Sequence, residues 1–328
     1  METPLDTLAT EPCAYAALAR RLGPDHLARR RRLQERAASG CRLYDEGRLL
    51  RPERLLGGLW IFKLLLRLTG QWARGRRNLC AVTARENVLA APGLPAAFDG
   101  YRLLQLSDLH VDVDERLVPA CLDAVAGRDY DAAVVTGDFC LERAAGYARA
   151  MELTEQLTAG LDGPVYAVLG NHDPIEIVPH LEAFGITVLL NEHTWLRQGD
   201  AKLCLAGVDD AWYYRTADLP AALAGVDSDA AVVLLSHSPD FCDTAAEAGV
   251  DVMLCGHTHG GQICLPGGRP VICHSRLGPP FIRGAWRHGE LTGYTAPGVG
   301  GSGLPVRYCC PPEVTFHTLR RTPAPAGA

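Results

Sequence analysis

The chain has 328 residues, 48% of them hydrophobic and 21% charged, which excludes a disordered protein and leaves enough apolar matter for a large core. Its net charge of −6 is uneven: residues 1–90 carry 17 Lys and Arg against 9 Asp and Glu, and the remainder is acidic. Twelve cysteines include no Cys-x-x-Cys pair, which argues against a zinc ribbon and for reduced, buried thiols of a cytoplasmic protein.

Met1 to Cys13 is acidic and lacks the apolar segment of a secretory signal. Residues 1–80 read as helical. Leu18 to Arg36 is rich in Ala, Leu and Arg and contains the run Arg29-Arg30-Arg31-Arg32. In Leu55 to Arg77, Ile61, Leu65, Leu68 and Trp72 recur at helical spacing, with Lys63, Arg67, Gln71 and Arg74 as a polar stripe. The apolar stretch falls short of the roughly 20 residues that cross a bilayer. Two placements are open for residues 55–77: a basic amphipathic helix on an anionic membrane surface, or a helix packed on the rest of the chain.

Pro92-Gly93-Leu94-Pro95 reads as a linker, so the expected domains are a basic helical extension at 1–90 and a catalytic body at 91–320. From Tyr101 short apolar runs alternate with helical patterns. Strands are expected at Tyr101–Leu106, Ala132–Thr136, Val165–Leu169, Ile186–Leu190, Lys202–Ala206, Ala231–Leu235, Val252–Cys255, Leu291–Thr295 and Val314–Leu319. Helices are expected at Glu115–Gly127, Glu142–Ala159, Pro174–Phe184 and Pro239–Ala248. The class is α/β. The Pro- and Ala-rich tail, 321–328, is expected to be disordered.

Five polar motifs each follow an apolar run: Asp108-Leu109-His110, Gly137-Asp138, Gly170-Asn171-His172-Asp173, His237 and Gly256-His257-Thr258-His259. Alone, each fits a turn or a cap. Together, placed where strands hand over to loops, they supply the oxygen and nitrogen donors of a two-cation site. Asp138 can bridge both cations, Asn171 offers a neutral oxygen, and His257 and His259 can serve different ions. His172 is left for acid–base work, with Asp173 expected to hold its imidazole.

On these motifs, and on Phe98-Asp99-Gly100-Tyr101 and Gly260-Gly261-Gln262 beside them, residues 98–320 resemble the calcineurin-like metallophosphoesterase superfamily. Within it, the chain resembles a bacterial subgroup of cytoplasmic-face phosphodiesterases that includes membrane-associated enzymes and has a UDP-2,3-diacylglucosamine pyrophosphatase of lipid A synthesis among its relatives. The resemblance implies two facing mixed β-sheets flanked by helices. It implies Asp108, His110, Asp138 and His259 on a first metal, and Asp138, Asn171, His237 and His257 on a second. The metals would be manganese, iron or zinc, with a bridging hydroxide attacking phosphorus in line. The expected substrate is a lipid-linked or nucleotide-diphosphate ester at the inner face of the membrane, the alternative a soluble phosphodiesterase acting on cyclic or other small diesters. Relatives often place a carboxylate three residues after Gly-Asp, whereas this chain reads Gly137-Asp138-Phe139-Cys140-Leu141-Glu142; a buried thiol is expected at Cys140.

Four histidines off the motifs, His193, His274, His288 and His317, read as surface or structural residues, and Arg283 and Arg287 as part of a solvated loop. The Gly298–Gly303 loop lacks the strand–loop–lysine context of a nucleotide cradle. The acidic body has no basic strip interleaved with aromatics, which argues against nucleic acid.

Overall fold

In the computed structural model, which describes residues 12–39, 43, 52–141, 146–271, 273 and 275–322, two six-stranded mixed sheets face one another. Four helices lead in: α1 (Pro12–Leu22), α2 (Pro24–Ala38), α3 (Pro52–Leu68) and α4 (Gln71–Leu79). The strands are β1 (Thr83–Ala91), β2 (Arg102–Leu106), β3 (Ala132–Thr136), β4 (Val165–Val168), β5 (Ile186–Val188), β6 (Glu192–Gln198), β7 (Ala201–Gly207), β8 (Val232–Leu235) and β9 (Val252–Cys255). A small hairpin, β10 (Cys264–Leu265) and β11 (Arg269–Pro270), precedes β12 (Gly284–His288), β13 (Leu291–Thr295) and β14 (Glu313–Arg321). The first sheet runs β1-β14-β2-β3-β4-β5 and the second β12-β13-β9-β8-β7-β6.

The apolar runs explain the layering. In β3, Ala132 and Val134 point between the sheets, while Ala133 and Val135 point to the helices on the outer face. In β9, Val252 and Leu254 face the first sheet, and Met253 and Cys255 the opposite layer. Side chains alternate along a strand, so an unbroken apolar run is what burial on both faces requires. Each such side chain stabilises the fold by about 1.5–3 kcal/mol. Leu117–Val125 and Tyr147–Ala159 cover the outer face of the first sheet, and Cys242–Glu247 that of the second.

Three expectations change. Residues 83–90 are not part of a helical extension: β1 forms the edge of the first sheet, parallel to β14 from Thr83 opposite Glu313 to Ala91 opposite Arg321. Its partner lies at the far end of the chain, so no local signal marks it. The helix expected over Leu55–Arg77 is two helices, because Gly70 adopts a left-handed φ of 70° that a side chain would resist. Trp72 therefore leaves the face of Ile61, Leu65 and Leu68 and packs, half-buried, with Leu66, Leu304 and Val306. Likewise Gly23 divides Leu18–Arg36 between α1 and α2. The start of the helix expected from Glu142 and the tail from 323 lie outside the described residues.

No helix among the described residues is long and apolar enough to cross a membrane. No disulfide joins the described cysteines, and most of them are buried.

Candidate metal centre

β2, β3 and β4 are mutually parallel in one sheet, as are β8 and β9 in the other. All five motifs follow the carboxyl ends of these strands, and the two sheets bring those ends together. Asp108, His110, Asp138 and His259 each place one donor atom within 4.8 Å of the others. Asp138 Oδ2 lies 3.5 Å from His110 Nε2 and 3.3 Å from His237 Nε2, so a single carboxylate oxygen faces two donor sets. On the second side Asn171 Oδ1 lies 3.1 Å from His237 Nε2 and 2.8 Å from His257 Nδ1. His259 Nε2 is 3.4 Å from Asp108 Oδ1. Every residue assigned to a metal from the sequence is in this cluster, and all seven are buried.

The rear contacts aim the donors. His110 Nδ1 lies 2.7 Å from the Cys140 carbonyl and His237 Nδ1 2.7 Å from the Thr136 carbonyl, which makes each Nδ1 the donor and turns Nε2 inward toward Asp138. The Asp108 carboxylate accepts the Ser107 hydroxyl at 2.6 Å and the His257 amide at 3.0 and 3.1 Å. His110 Nε2 is buried with no hydrogen-bond partner, a cost that a bound cation removes. The donor set fits divalent cations.

The backbone is strained at these positions. Asp108, His110, Asp138, His257 and His259 all have φ between 36° and 71°. That region costs a residue with a Cβ on the order of 1 kcal/mol or more, and such strain concentrates at functional sites. Burial would raise Asp138, but His237, His172 and His110 outweigh it and hold its carboxyl well below the usual range. Burial raises Asp108, with Asp138 adding to the effect against the pull of His237. Two buried carboxylates side by side are a demand for positive charge.

His172 is only half-buried, at the edge of the cluster, with Nδ1 held 2.7 Å from the Leu141 carbonyl. Asp173 does not hold this ring, contrary to expectation. Its Oδ2 accepts the amides of Asp138 (2.7 Å) and Gly170 (2.8 Å), and its Oδ1 those of Phe139 (2.8 Å) and Cys140 (3.2 Å). With four backbone donors in place the carboxylate is a loop organiser. Cys140 is a buried thiol with its pKa pushed well up by burial, and it offers the centre only its carbonyl.

Of the remaining histidines, His317 is buried against Gln105, His193 rests on the Ala222 carbonyl and His288 pairs with Asp243, all away from the motifs. His274 lies outside the described residues. Arg283 and Arg287 are exposed, as expected, but Arg287 stands in β12 rather than in a loop. Sequence reasoning missed Arg307, fully buried, whose guanidinium donates to the carbonyls of Pro297, Gly298 and Gly300 behind Asp108. It also missed Trp212, whose ring sits 5.7 Å from that of His257. Neither belongs to a motif that spacing reveals.

The sequence profile of the calcineurin-like phosphoesterases matches residues 101–261. The chain is 31% identical over 240 residues to a protein of Escherichia coli (strain K12) named phosphodiesterase YaeI, covering 67% of this chain and 82% of that one. It is 29% identical over 252 residues to the uncharacterized metallophosphoesterase YkuE of Bacillus subtilis (strain 168), covering 74% and 86%. A Bos taurus transmembrane protein with metallophosphoesterase domain is 30% identical over 252 residues, and there the chain spans 55% of the relative. Likeness at this level, over most of a relative's length and through a matched centre, makes the chain a member of the calcineurin-like metallophosphoesterase family, metal-dependent hydrolases of phosphoesters.

Proposed function

We propose that the chain hydrolyses phosphodiester or pyrophosphate bonds with two divalent cations. Asp108, His110, Asp138 and His259 would hold one, and Asp138, Asn171, His237 and His257 the other. The observation that carries this reading is Asp138 Oδ2, within 3.5 Å of a histidine from each set. Bound cations would supply Lewis-acid charge at the phosphoryl oxygens and an acidified water. The protein's own part is to fix geometry. Asp138 cannot rotate, since its Oδ1 accepts the His172 amide at 2.8 Å. Asn171 contributes oxygen without charge, so the second site keeps its electrophilic character. His172, at the mouth with its ring anchored through Nδ1, presents Nε2 to give a proton to the departing oxygen. Asp, Asn and His donors suit manganese, iron or zinc.

We place the substrate at a membrane surface, as a lipid-linked or nucleotide-diphosphate ester such as UDP-2,3-diacylglucosamine. Support comes from α3, whose Trp60, Ile61, Phe62, Leu64, Leu65 and Leu68 are exposed beside Lys63 and Arg67, and from the name of the Bos taurus relative, a transmembrane protein. A small phosphodiester is the second reading, favoured by the name of the Escherichia coli relative. The deciding assay compares bis-p-nitrophenyl phosphate with a micellar UDP-diacylated sugar, using manganese and the full chain, with Asp138→Ala as blank. Preference for the lipid carries the first reading. Activity on the small diester alone leaves the second, and no metal-dependent activity on either removes both.

A further inference from the structure

In the run Arg29–Arg32 three guanidinium groups are exposed and Arg30 is fully buried. Its Nη2 donates to the Asp173 carbonyl at 2.9 Å, its Nη1 to Gln34 Oε1 at 2.8 Å, and its Nε reaches Asp209 Oδ1 at 3.4 Å. The guanidinium carbon lies 3.5 Å above the Tyr214 ring centroid. One arginine from α2 thus spans the loop after β4 in one sheet and the loop after β7 in the other. Gln34, one turn on, accepts the Ile175 amide at 2.8 Å and donates to Glu176 at 2.8 Å. Arg30 and Gln34 themselves lie outside residues 101–261, where the family profile matches, while the groups they hold lie within it.

Each loop that Arg30 reaches touches the centre. Asp173 is the residue whose carboxylate gathers the amides of Asp138, Phe139, Cys140 and Gly170. Beyond Asp209, the Asp210 carboxylate accepts the amides of Tyr213 (2.7 Å) and Tyr214, next to the Trp212 ring that packs on His257. A planar fork of donors is suited to three acceptors in fixed directions, which a lysine cannot match. Burying that charge is costly unless it is fully paired, and here it is.

We propose that Arg30 is a positioning residue for hydrolysis: it fixes the Asp173 backbone, and through it Asp138 and His172, so that α2 is an integral part of the reaction centre. The kinetic consequence rests on the phosphoesterase reading above; the structural one does not. Misplacement by about an ångström can cost two orders of magnitude in rate.

Because Arg30→Ala strands Asp209 in the interior, the test uses Arg30→Met with Asp209→Asn, which removes both charges at similar volume, and Arg30→Lys separately. Hydrogen–deuterium exchange and steady-state hydrolysis of bis-p-nitrophenyl phosphate with manganese are measured on the full chain. The expected result for the double variant is at least tenfold faster exchange at the amides of Asp138, Phe139, Cys140 and Gly170. Its kcat falls at least tenfold while KM changes less than twofold. Arg30→Lys is expected to shift both readouts in the same sense, at least threefold, and it decides alone if the double variant does not fold. Wild-type exchange at those amides overturns the proposal, as does faster exchange with kcat intact. If the unaltered protein hydrolyses no diester, the phosphoesterase reading fails, and the exchange rates alone decide whether Arg30 positions the loop.

Discussion

Asp138 and Asp173 are bound to each other's loops in both directions. Asp173 Oδ2 accepts the Asp138 amide at 2.7 Å, and Asp138 Oδ1 accepts the amide of His172, the neighbour of Asp173, at 2.8 Å. The exchange uses one oxygen of Asp138 for structure and leaves Oδ2 for the histidines on either side. Asp173→Asn keeps the shape but replaces one accepting oxygen with a donor, facing amides that also donate. Leaving such buried groups unsatisfied costs about 1–3 kcal/mol. The variant is expected to melt lower and bind manganese more weakly, measured by calorimetry and metal titration, with the alkaline limb of its pH–rate profile, set by deprotonation of the general acid, in place. A shifted alkaline limb with unchanged metal affinity would return Asp173 to the role of orienting the imidazole.

Chelation should expose the cost of Asp108 and Asp138 standing together. Cations that bind only the folded state stabilise it by about 2.7 kcal/mol at a hundredfold excess over Kd. EDTA is therefore expected to lower Tm by several degrees in the unaltered protein. Asp138→Asn, with one buried charge fewer, should show a smaller drop. Equal drops in scanning calorimetry would sink the view that these carboxylates are the seat of metal-linked stability.

His172→Ala removes the half-exposed histidine and leaves every assigned metal donor in place. Loss of a general acid typically costs on the order of 10²–10⁴ in rate, and the cost shrinks when the leaving group needs no proton. The expected outcome is a severe kcat loss on alkyl diesters, a mild one on p-nitrophenyl esters, and wild-type metal content by elemental analysis. Equal losses across leaving groups would reassign His172.

The centre was legible in the sequence because its residues sit in short motifs, each directly after an apolar run buried on both faces. Ala132–Thr136 and Val252–Cys255 are strands with the bounds their apolar runs suggest. What escaped depends on partners far away in the chain. β1, Thr83–Ala91, is half polar and exposed along much of its length, and only β14 makes it a strand. Arg30 stands in a run of four arginines, and nothing local distinguishes it from the three in water. Its one clue is Leu27, also buried, one helical turn earlier. The amphipathic pattern of 61–72 failed for another reason: it assumed a continuous helix across Gly70, and the leucine that packs on the body is Leu66, off the expected face.

Asp209 gives the fold a defined acid sensitivity. Burial would raise its carboxyl, but Arg30 and His26 outweigh that and hold it well below its ordinary value of 3.8. A depressed carboxylate contributes stability that is complete above its unfolded pKa and is lost as pH falls through its folded one. Asp209→Asn breaks the buried pair, at a cost of roughly 3 kcal/mol near neutrality. The Tm gap between the unaltered protein and the variant should be widest above pH 5 and narrow as pH falls below 4. A gap constant from pH 7 to pH 3 would mean that Asp209 carries no linked proton.

The face of α3 makes the last prediction. Leu66 turns inward against Leu304 and Val306, which fixes the helix and leaves Ile61, Leu64, Leu65 and Leu68 outward, Leu68 being 75% exposed. Lys63 and Arg67 lie over the Trp72 ring, each 5.3 Å from its centroid, so positive charge flanks the apolar face. From Trp60 to Cys80 the chain has no acidic residue. Such a face suits an anionic bilayer, with apolar insertion and charge attraction acting together. Leu65→Glu with Leu68→Glu is expected to abolish sedimentation with phosphatidylglycerol vesicles. In the unaltered protein, raising salt to about 0.5 M should weaken sedimentation without abolishing it, since the Debye length falls below about 8 Å while apolar burial persists. Hydrolysis of a small diester should be unchanged in the double variant, because Leu65 and Leu68 lie on the exposed face of α3, opposite the side on which Leu66 packs. Vesicle binding that survives both substitutions would remove α3 as the membrane contact, and no binding by the unaltered protein would leave the small-diester reading the stronger one.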